Sequence, residues 1–347
     1  DEFEHSALVL PYPGLGWVEP VGPASGKLLL RLNRAAAICV SVGLSTRLAT
    51  LVLSATFTYL FLLCESNHNN HYILICHVTA LASLTQWGRY ASLDHAISLL
   101  RYCLGVSDRK TNSPPQTTIP YWQLMLFQFI FSVPYFFGSI AKLNEDWLLH
   151  AQPLKVWLHG ARTSNLGLGS DPPLWFPWFI AWGGFLFDLG IVPLLMMHHI
   201  RFLTYPAALS FNCMNKLMFN IGVFPYAMIG SLALFVEPCF FARLLRFLYA
   251  PQTFYEPIVD YTPPQWHWWW FVPVSTSSLP PRSDEDLPLT TKVEARSSRV
   301  RRAQPLRFRQ LALLGFVGFF IGFHCLWPLR HYVLYPYGVS WHEEGRP

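Results

Sequence analysis

Apolar runs and short polar stretches alternate along the chain at the spacing of helices threading a bilayer. The clearest runs predict membrane spans over residues 50–63, 72–87, 121–141, 174–197, 217–236 and 310–327. Weaker runs at 35–44 and within 202–213 bring the expected total to about seven or eight helices. Only helices and closed barrels satisfy their backbone groups in hydrocarbon, and alternating ten-residue strands are absent, so the expected fold is an all-α polytopic transmembrane bundle. A bilayer core of roughly 30 Å asks for about 20 residues, so the shorter runs imply tilted or half-spanning helices.

Character changes between Ala250 and Arg309. Prolines, serines and charges, as in Pro280-Pro281-Arg282-Ser283-Asp284-Glu285-Asp286, mark a loop too polar to fold by itself. Three regions follow: a transmembrane unit over 1–250, an insertion loop over 251–309, and a last span with the start of a lumenal region over 310–347. Inside the loop, Trp266-His267-Trp268-Trp269-Trp270 reads equally as a headgroup-level belt or as a chance cluster. Arg47, Arg89, Arg101, Arg109, Lys110, Arg201, Arg243, Arg246 and the Arg299-Val300-Arg301-Arg302 cluster anchor cytoplasmic loops by the positive-inside rule. Threading through them sends the Asn69-Asn70-His71 loop, Lys142, the 212–216 stretch and His331 to the opposite face; Arg31 and Arg34 land on the wrong side.

Composition agrees: 52% of residues are hydrophobic and only 13% charged, against about 25% charged in soluble domains. The net charge of +5 suits loops on an anionic leaflet, with membrane lipid as partner, rather than nucleic acid. Seven scattered cysteines without a C-x-x-C pair support no metal site and no disulfide framework. His198 and His199 point about 100° apart in a helix and cannot chelate one metal together. The chain opens on Asp1 without methionine or signal peptide and stops at Pro347, so both ends read as truncated.

Three positions invite chemistry. Lys142 closes an apolar helix, and desolvation would favour its neutral, basic form; the residues alone favour a lysine snorkelling to the headgroups. His71, beside Asn69 and Asn70, could orient a phenolate or carboxylate, or simply belong to a helix cap. Asp188 sits at membrane depth, where a carboxyl is functional or paired; a structural partnership with an arginine or a hydroxyl is the favoured reading. No paired broken helices suggest an inverted-repeat transporter.

The segment Phe137-Gly138-Ser139-Ile140-Ala141-Lys142-Leu143-Asn144-Glu145-Asp146-Trp147 resembles a signature of the vitamin K-dependent γ-carboxylases and their bacterial relatives, within the membrane part called the HTTM domain. Collinear matches follow at Tyr12-Pro13-Gly14-Leu15-Gly16-Trp17-Val18, Asn69-Asn70-His71-Tyr72, Ser92-Leu93-Asp94, Cys213-Met214-Asn215, Phe219-Asn220-Ile221-Gly222-Val223-Phe224-Pro225, Pro328-Leu329-Arg330-His331-Tyr332 and Trp341-His342-Glu343-Glu344-Gly345. The resemblance implies an HTTM-like domain over 1–250. It also implies oxidation of vitamin K hydroquinone to its epoxide with O₂, which yields a base strong enough to remove a γ-proton from glutamate so that CO₂ can add. Lys142 would deprotonate the quinol, His71 and Asn70 would orient the reacting oxygen or the glutamate, and His331 would assist carboxylation. Asn212 and Asn215 would contribute to binding. The partner would be a glutamate-containing peptide or protein, and the site would face the lumen of the endoplasmic reticulum in a eukaryote or the exterior of a bacterial cell membrane.

Two departures stand out. Where the family commonly has F-H-x-x-N, this chain reads Phe211-Asn212-Cys213-Met214-Asn215, and asparagine hydrogen-bonds without transferring protons. The family's large lumenal domain has almost no counterpart after Gly345. Alternatives are therefore a quinol epoxidase that does not carboxylate, or a non-catalytic membrane protein binding quinone or lipid.

Overall fold

The computed structural model describes residues 11–12, 14–89, 92–105, 119–158, 172–219, 221–236, 240 and 308–329, with the backbone alone at Asn67, His198 and Arg309. Every regular element among them is helical. The long helices are α1 (Pro23–Val42), α2 (Thr46–Leu62), α3 (Asn70–Leu84), α4 (Leu93–Cys103), α5 (Tyr121–Ala141), α6 (Phe176–Met196), α7 (Arg201–Met218), α8 (Phe224–Ser231) and α9 (Phe308–Leu326). The chain divides into two units, Asp1–Val236 and Glu237–Arg346. Most of the 251–309 loop, with its tryptophan and arginine clusters, lies outside the described residues, as does His331.

The helix boundaries correct the expected spans. Among the described residues, only α5 and α6 are long and apolar enough to cross a membrane unaided; Thr46–Leu62, Asn70–Leu84, Phe224–Phe235 and Gln310–Leu326 are apolar but shorter. Length and composition thus mark two clear candidate crossings among the described residues, within a chain that is helical as expected. α1 starts at Pro23, well before the expected residue 35, because proline at the first helical position is pre-organised and the basic residues Lys27, Arg31 and Arg34 do not interrupt a helix. The expected single span over 217–236 is two helices. α7 ends at Met218, Gly222 adopts φ +57°, and Pro225 sits in the first turn of α8, where its missing N–H costs nothing.

α5 and α6 form the antiparallel pair that matters most. Tyr135, Gly138, Ser139 and Lys142 share a stripe on α5 at spacings of three and four. On α6 the residues at 181, 185, 188, 191 and 195 repeat the same way, and all five are buried. The opposite face of α6 is apolar and exposed through Phe179, Trp182, Leu186 and Leu189, as expected of a surface meeting lipid rather than water. Lipid is as apolar as leucine, so helices in it associate through small residues and hydrogen bonds; Gly138, Ala181 and Gly184 at this contact supply the first.

At the other end of the first unit a polar knot ties four segments. α1 ends on Gly43 at φ +70°, with N–H bonds from Gly43 and Leu44 back to Val40 and Cys39. The Asp94 carboxylate accepts from the backbone N–H groups of Ser45 and Thr46, both at 2.7 Å, and from the Thr46 hydroxyl at 2.6 Å. A Cβ on Gly43 would fall 2.4 Å from Ser92 Cβ, and one on Gly88 would fall 2.4 Å from Thr46 Oγ1, so both positions need glycine. The Gln86 N–H donates to Gln123 Oε1 at 2.9 Å and joins the start of α5 to the end of α3.

α9 carries its own ladder of rings. Phe319, Phe323 and Trp327 stack at 6.1 and 5.2 Å, and His324 Nδ1 lies 2.8 Å from the Phe320 carbonyl one turn back.

Candidate functional site

Lys142 is the residue that caps the C-terminus of α5, and a cation is favoured there by the helix dipole. Its ammonium does not run out to the surface. It turns back along α5 and forms an ion pair with the Asp188 carboxylate on α6. Asp188 lies twelve residues into α6, about 18 Å along its axis at 1.5 Å per residue. The side chains are 20% and 8% exposed, so the lysine is the accessible partner and the carboxylate the buried one. The expected partner of Asp188, an arginine or a hydroxyl, is instead the lysine already singled out. A pairing across 46 residues has no local periodicity to betray it.

Gly138 makes room for the pair, and Gly184 lies in ordinary contact with it. A Cβ on Gly138 would sit 3.3 Å from Asp188 Oδ2 and 3.8 Å from Lys142 Nζ, and one on Gly184 would sit 4.0 Å from Lys142 Cε. On the far side the Trp147 ring centroid is 5.5 Å from the ammonium, within cation–π range.

The loop after α5 is held by three indoles. Asn144 caps the short helix Glu145–Leu148 by accepting from the Trp147 N–H at 2.8 Å, and its amide donates to the Ala141 carbonyl at 2.8 Å. Trp147 Nε1 donates to the Ala181 carbonyl on α6 at 3.2 Å. In return Trp178 and Trp182, one turn apart on α6, donate to the carbonyls of Leu149 and Leu148 at 3.0 and 3.1 Å. Below them Ala151, Leu154, Leu158, Phe176, Ala181 and Met218 form a buried apolar cluster. The lysine therefore projects from a fixed platform.

Asn212 is wholly buried on α7. Its Nδ2 donates to the Tyr135 hydroxyl at 3.0 Å and to the Ala208 carbonyl at 2.9 Å, while its Oδ1 has no hydrogen-bond partner. Tyr135 lies two turns before Lys142, and Phe187, the neighbour of Asp188, stacks on Phe211 with centroids 3.8 Å apart. Lys142, Asp188, Tyr135 and Asn212 thus belong to one polar seam among α5, α6 and α7. Tyr135 was not legible in the sequence, since an aromatic residue in an apolar run reads as core.

The other expected residues divide. Asn69 caps α3, its Oδ1 accepting from the His71 N–H at 2.8 Å, so the capping reading of this motif holds. The His71 ring is half-buried and stacks on Phe224 at the start of α8, with centroids 4.5 Å apart. Asn70 is exposed in the first turn of α3. Asn215 lies near the end of α7, where its carbonyl accepts from the Phe219 N–H at 2.9 Å. The ends of α5 and α7 and the starts of α3, α6 and α8 lie on one end of the unit, opposite the Asp94 knot. Asn70, His71, Lys142 and Asn215 share that end. A ring chain links the last two helix ends: Phe219 meets Trp157 at 5.9 Å, and Trp157 meets Trp147 at 6.5 Å.

An apolar cavity of about 320 Å³ opens between α6 and α7, lined by Phe187, Ile191, Leu194, Leu203, Thr204 and Ala207 among others. On α6 its lining runs from Leu186, two residues before Asp188, to Leu194, toward the other end of the pair.

No solved structure matches the chain. The model of the HTTM domain family matches residues 1–239, from the amino terminus to just past the end of the first unit, and so covers the whole polar seam. The chain belongs to the HTTM domain family, with which the vitamin K-dependent carboxylases are associated.

Proposed function

We propose that the chain is a carboxylase-like membrane enzyme that oxidises vitamin K hydroquinone to its epoxide with O₂ and uses the base so formed to carboxylate glutamate with CO₂. The observation that carries the reading is Lys142. Its side chain is partly exposed where it leaves the end of α5, beside a loop held by the tryptophan platform, and pairs with a buried carboxylate. A quinol and both gases partition into lipid, and the peptide reaches the same edge from water. Excluding water there protects a strong base from being quenched. The apolar cavity beside Phe187 suits the hydrocarbon tail of a quinol whose ring lies near the seam.

In this reading Lys142 first gives up its ammonium proton to water, and the neutral amine then takes the proton of the quinol hydroxyl, so that an O–H bond is replaced by an N–H bond. His71 and Asn70 face a glutamate-containing peptide on the lumenal or exterior side, and His331 assists there. The remaining shorter helices complete a bundle of seven or eight crossings by tilting. A eukaryotic chain would work in the endoplasmic reticulum and a bacterial one in the cell membrane.

One observation favours a second reading, epoxidation without carboxylation. The position where the family commonly has histidine is Asn212, buried and already committed to Tyr135 and Ala208, and an amide carries no proton between partners. A non-catalytic quinone- or lipid-binding protein is the third.

The purified chain in lipid, given the quinol, a glutamate peptide and labelled bicarbonate, separates them. Epoxide with incorporated label, both lost in Lys142→Ala, is the expected result. Epoxide without label favours the second reading. Neither product from a folded sample overturns catalysis.

A further inference from the structure

We infer that Asp188 is the positioning residue that sets how firmly Lys142 holds a proton, and that the α5–α6 contact is built around this pair. The inference rests on Lys142 being the working base of the proposed function, but its first test does not need turnover.

A carboxylate at this depth is costly, and a buried ion pair is often no more stabilising than apolar residues of the same size. The helix pair has other means of cohesion. Three indole hydrogen bonds hold the following loop, and the apolar stripe of α6 is buried along its length. Gly138 nevertheless leaves space for the two charges, since a Cβ there would crowd Asp188 Oδ2 at 3.3 Å. Burial is also asymmetric, with the carboxylate sealed and the amine reachable. That is the arrangement needed if a substrate meets the lysine and never the aspartate.

The other groups around the ammonium do not supply this influence. On α5 the ionisable neighbour is Tyr135, which accepts from Asn212. The loop after α5 offers Glu145 and Asp146, both exposed to solvent, where charge is screened. On α7, Asn212 does not ionise, and Lys216 lies over the Tyr226 ring at 5.1 Å. Asp188 is the carboxylate in contact.

The consequence is directional. An opposite charge beside an amine favours the ammonium. When Lys142 takes a proton from an acidic hydroxyl, the product is an ammonium already facing its counter-charge, so the transfer gains driving force. The same attraction delays release of that proton to water between turnovers. The structure therefore trades speed of recovery for strength as a base.

The test uses the full chain in lipid with a small amine-acylating reagent, reading the Lys142 peptide by mass spectrometry across a pH series. Asp188→Asn should move the labelling profile toward acid and raise the labelled fraction at neutral pH several-fold. Asp188→Glu, which restores the charge, should move it back. Normalising each profile to its own plateau removes any change in access, so a purely structural role would leave the profile in place. An Asp188→Asn profile that coincides with wild type overturns the inference; if that variant does not fold, a Asp188→Glu profile that coincides with Asp188→Ala does so. Epoxide formation is then read in the same samples. A shifted profile with no epoxide from any variant sinks the quinol reading and leaves the role of Asp188 intact. Epoxide from Asp188→Asn at the wild-type rate and pH dependence sinks the role of Asp188 and leaves the quinol reading.

Discussion

Gly138 shows how narrowly the site is drawn at the scale of one residue. In a helix interior, glycine to alanine ordinarily gains about 1 kcal/mol by removing backbone freedom. Here the new methyl would press on Asp188 Oδ2 from 3.3 Å and approach Lys142 Nζ to 3.8 Å. The two effects oppose each other in stability but not in function. Gly138→Ala should unfold within a few degrees of wild type in detergent while losing about tenfold or more in epoxide formation, since a misplacement of ~1 Å costs about a hundredfold. Wild-type activity in this variant would mean the pair tolerates displacement. Legibility at this scale was uneven. Lys142 was marked by the residues around it, and Asp188 by its depth in an apolar run. Their pairing was hidden because it crosses two helices, and Tyr135 because its hydroxyl matters only once Asn212 of α7 is packed beside it.

Among the elements, α5 and α6 were legible to within two residues, because twenty-one residues that are mostly apolar leave few choices. The break between α7 and α8 was not, since hydropathy stays high across it; Gly222 and Pro225 were the signals, and they act through backbone geometry rather than polarity. The knot at Asp94 was missed for the same reason as the ion pair: its ligands come from residues 45 and 46. Burial of the Asp94 carboxyl pushes its pKa up, but hydrogen bonds from the Thr46 hydroxyl and from the backbone N–H groups of Thr46 and Ser45 outweigh it, and the net shift is downward. A depressed carboxylate contributes stability in full above the ordinary value of about 3.9, and that stability is lost as pH falls through the lowered folded value. Wild type should therefore lose unfolding temperature on acidification below the ordinary carboxylate range, and Asp94→Asn should start lower and fall less. Parallel acid profiles for the two proteins would show that the knot does not depend on the charge.

For the whole molecule, the packing supplies an orientation that loop charges alone left uneven. Hydrogen bonds at Gln86–Gln123 and Thr46–Asp94 gather the ends of α1 and α3 and the starts of α2, α4 and α5 at one end. The His71–Phe224 stack and the indole platform gather the candidate residues at the other. Arg31 and Arg34, which fall on the wrong side by charge counting, lie exposed on an α1 that starts twelve residues earlier than expected. They sit eight and eleven residues into this 20-residue helix, in its third and fourth turns rather than in a loop, so a count of loop charges misplaces them. α4, with eleven residues, is too short to cross, so Cys103, exposed at its end, stays on the side where α5 starts, while Leu149, exposed on the platform beside Lys142, lies across the membrane. In sealed vesicles, an impermeant thiol reagent should reach a single cysteine at 103 and one introduced as Leu149→Cys from opposite faces. Labelling of both from the same face would break the alternation. It would also remove the shared lumenal or exterior edge on which the quinol, the peptide and Lys142 are proposed to meet, because His71 and Lys142 hold that edge only if α3 and α5 run in opposite directions through the bilayer.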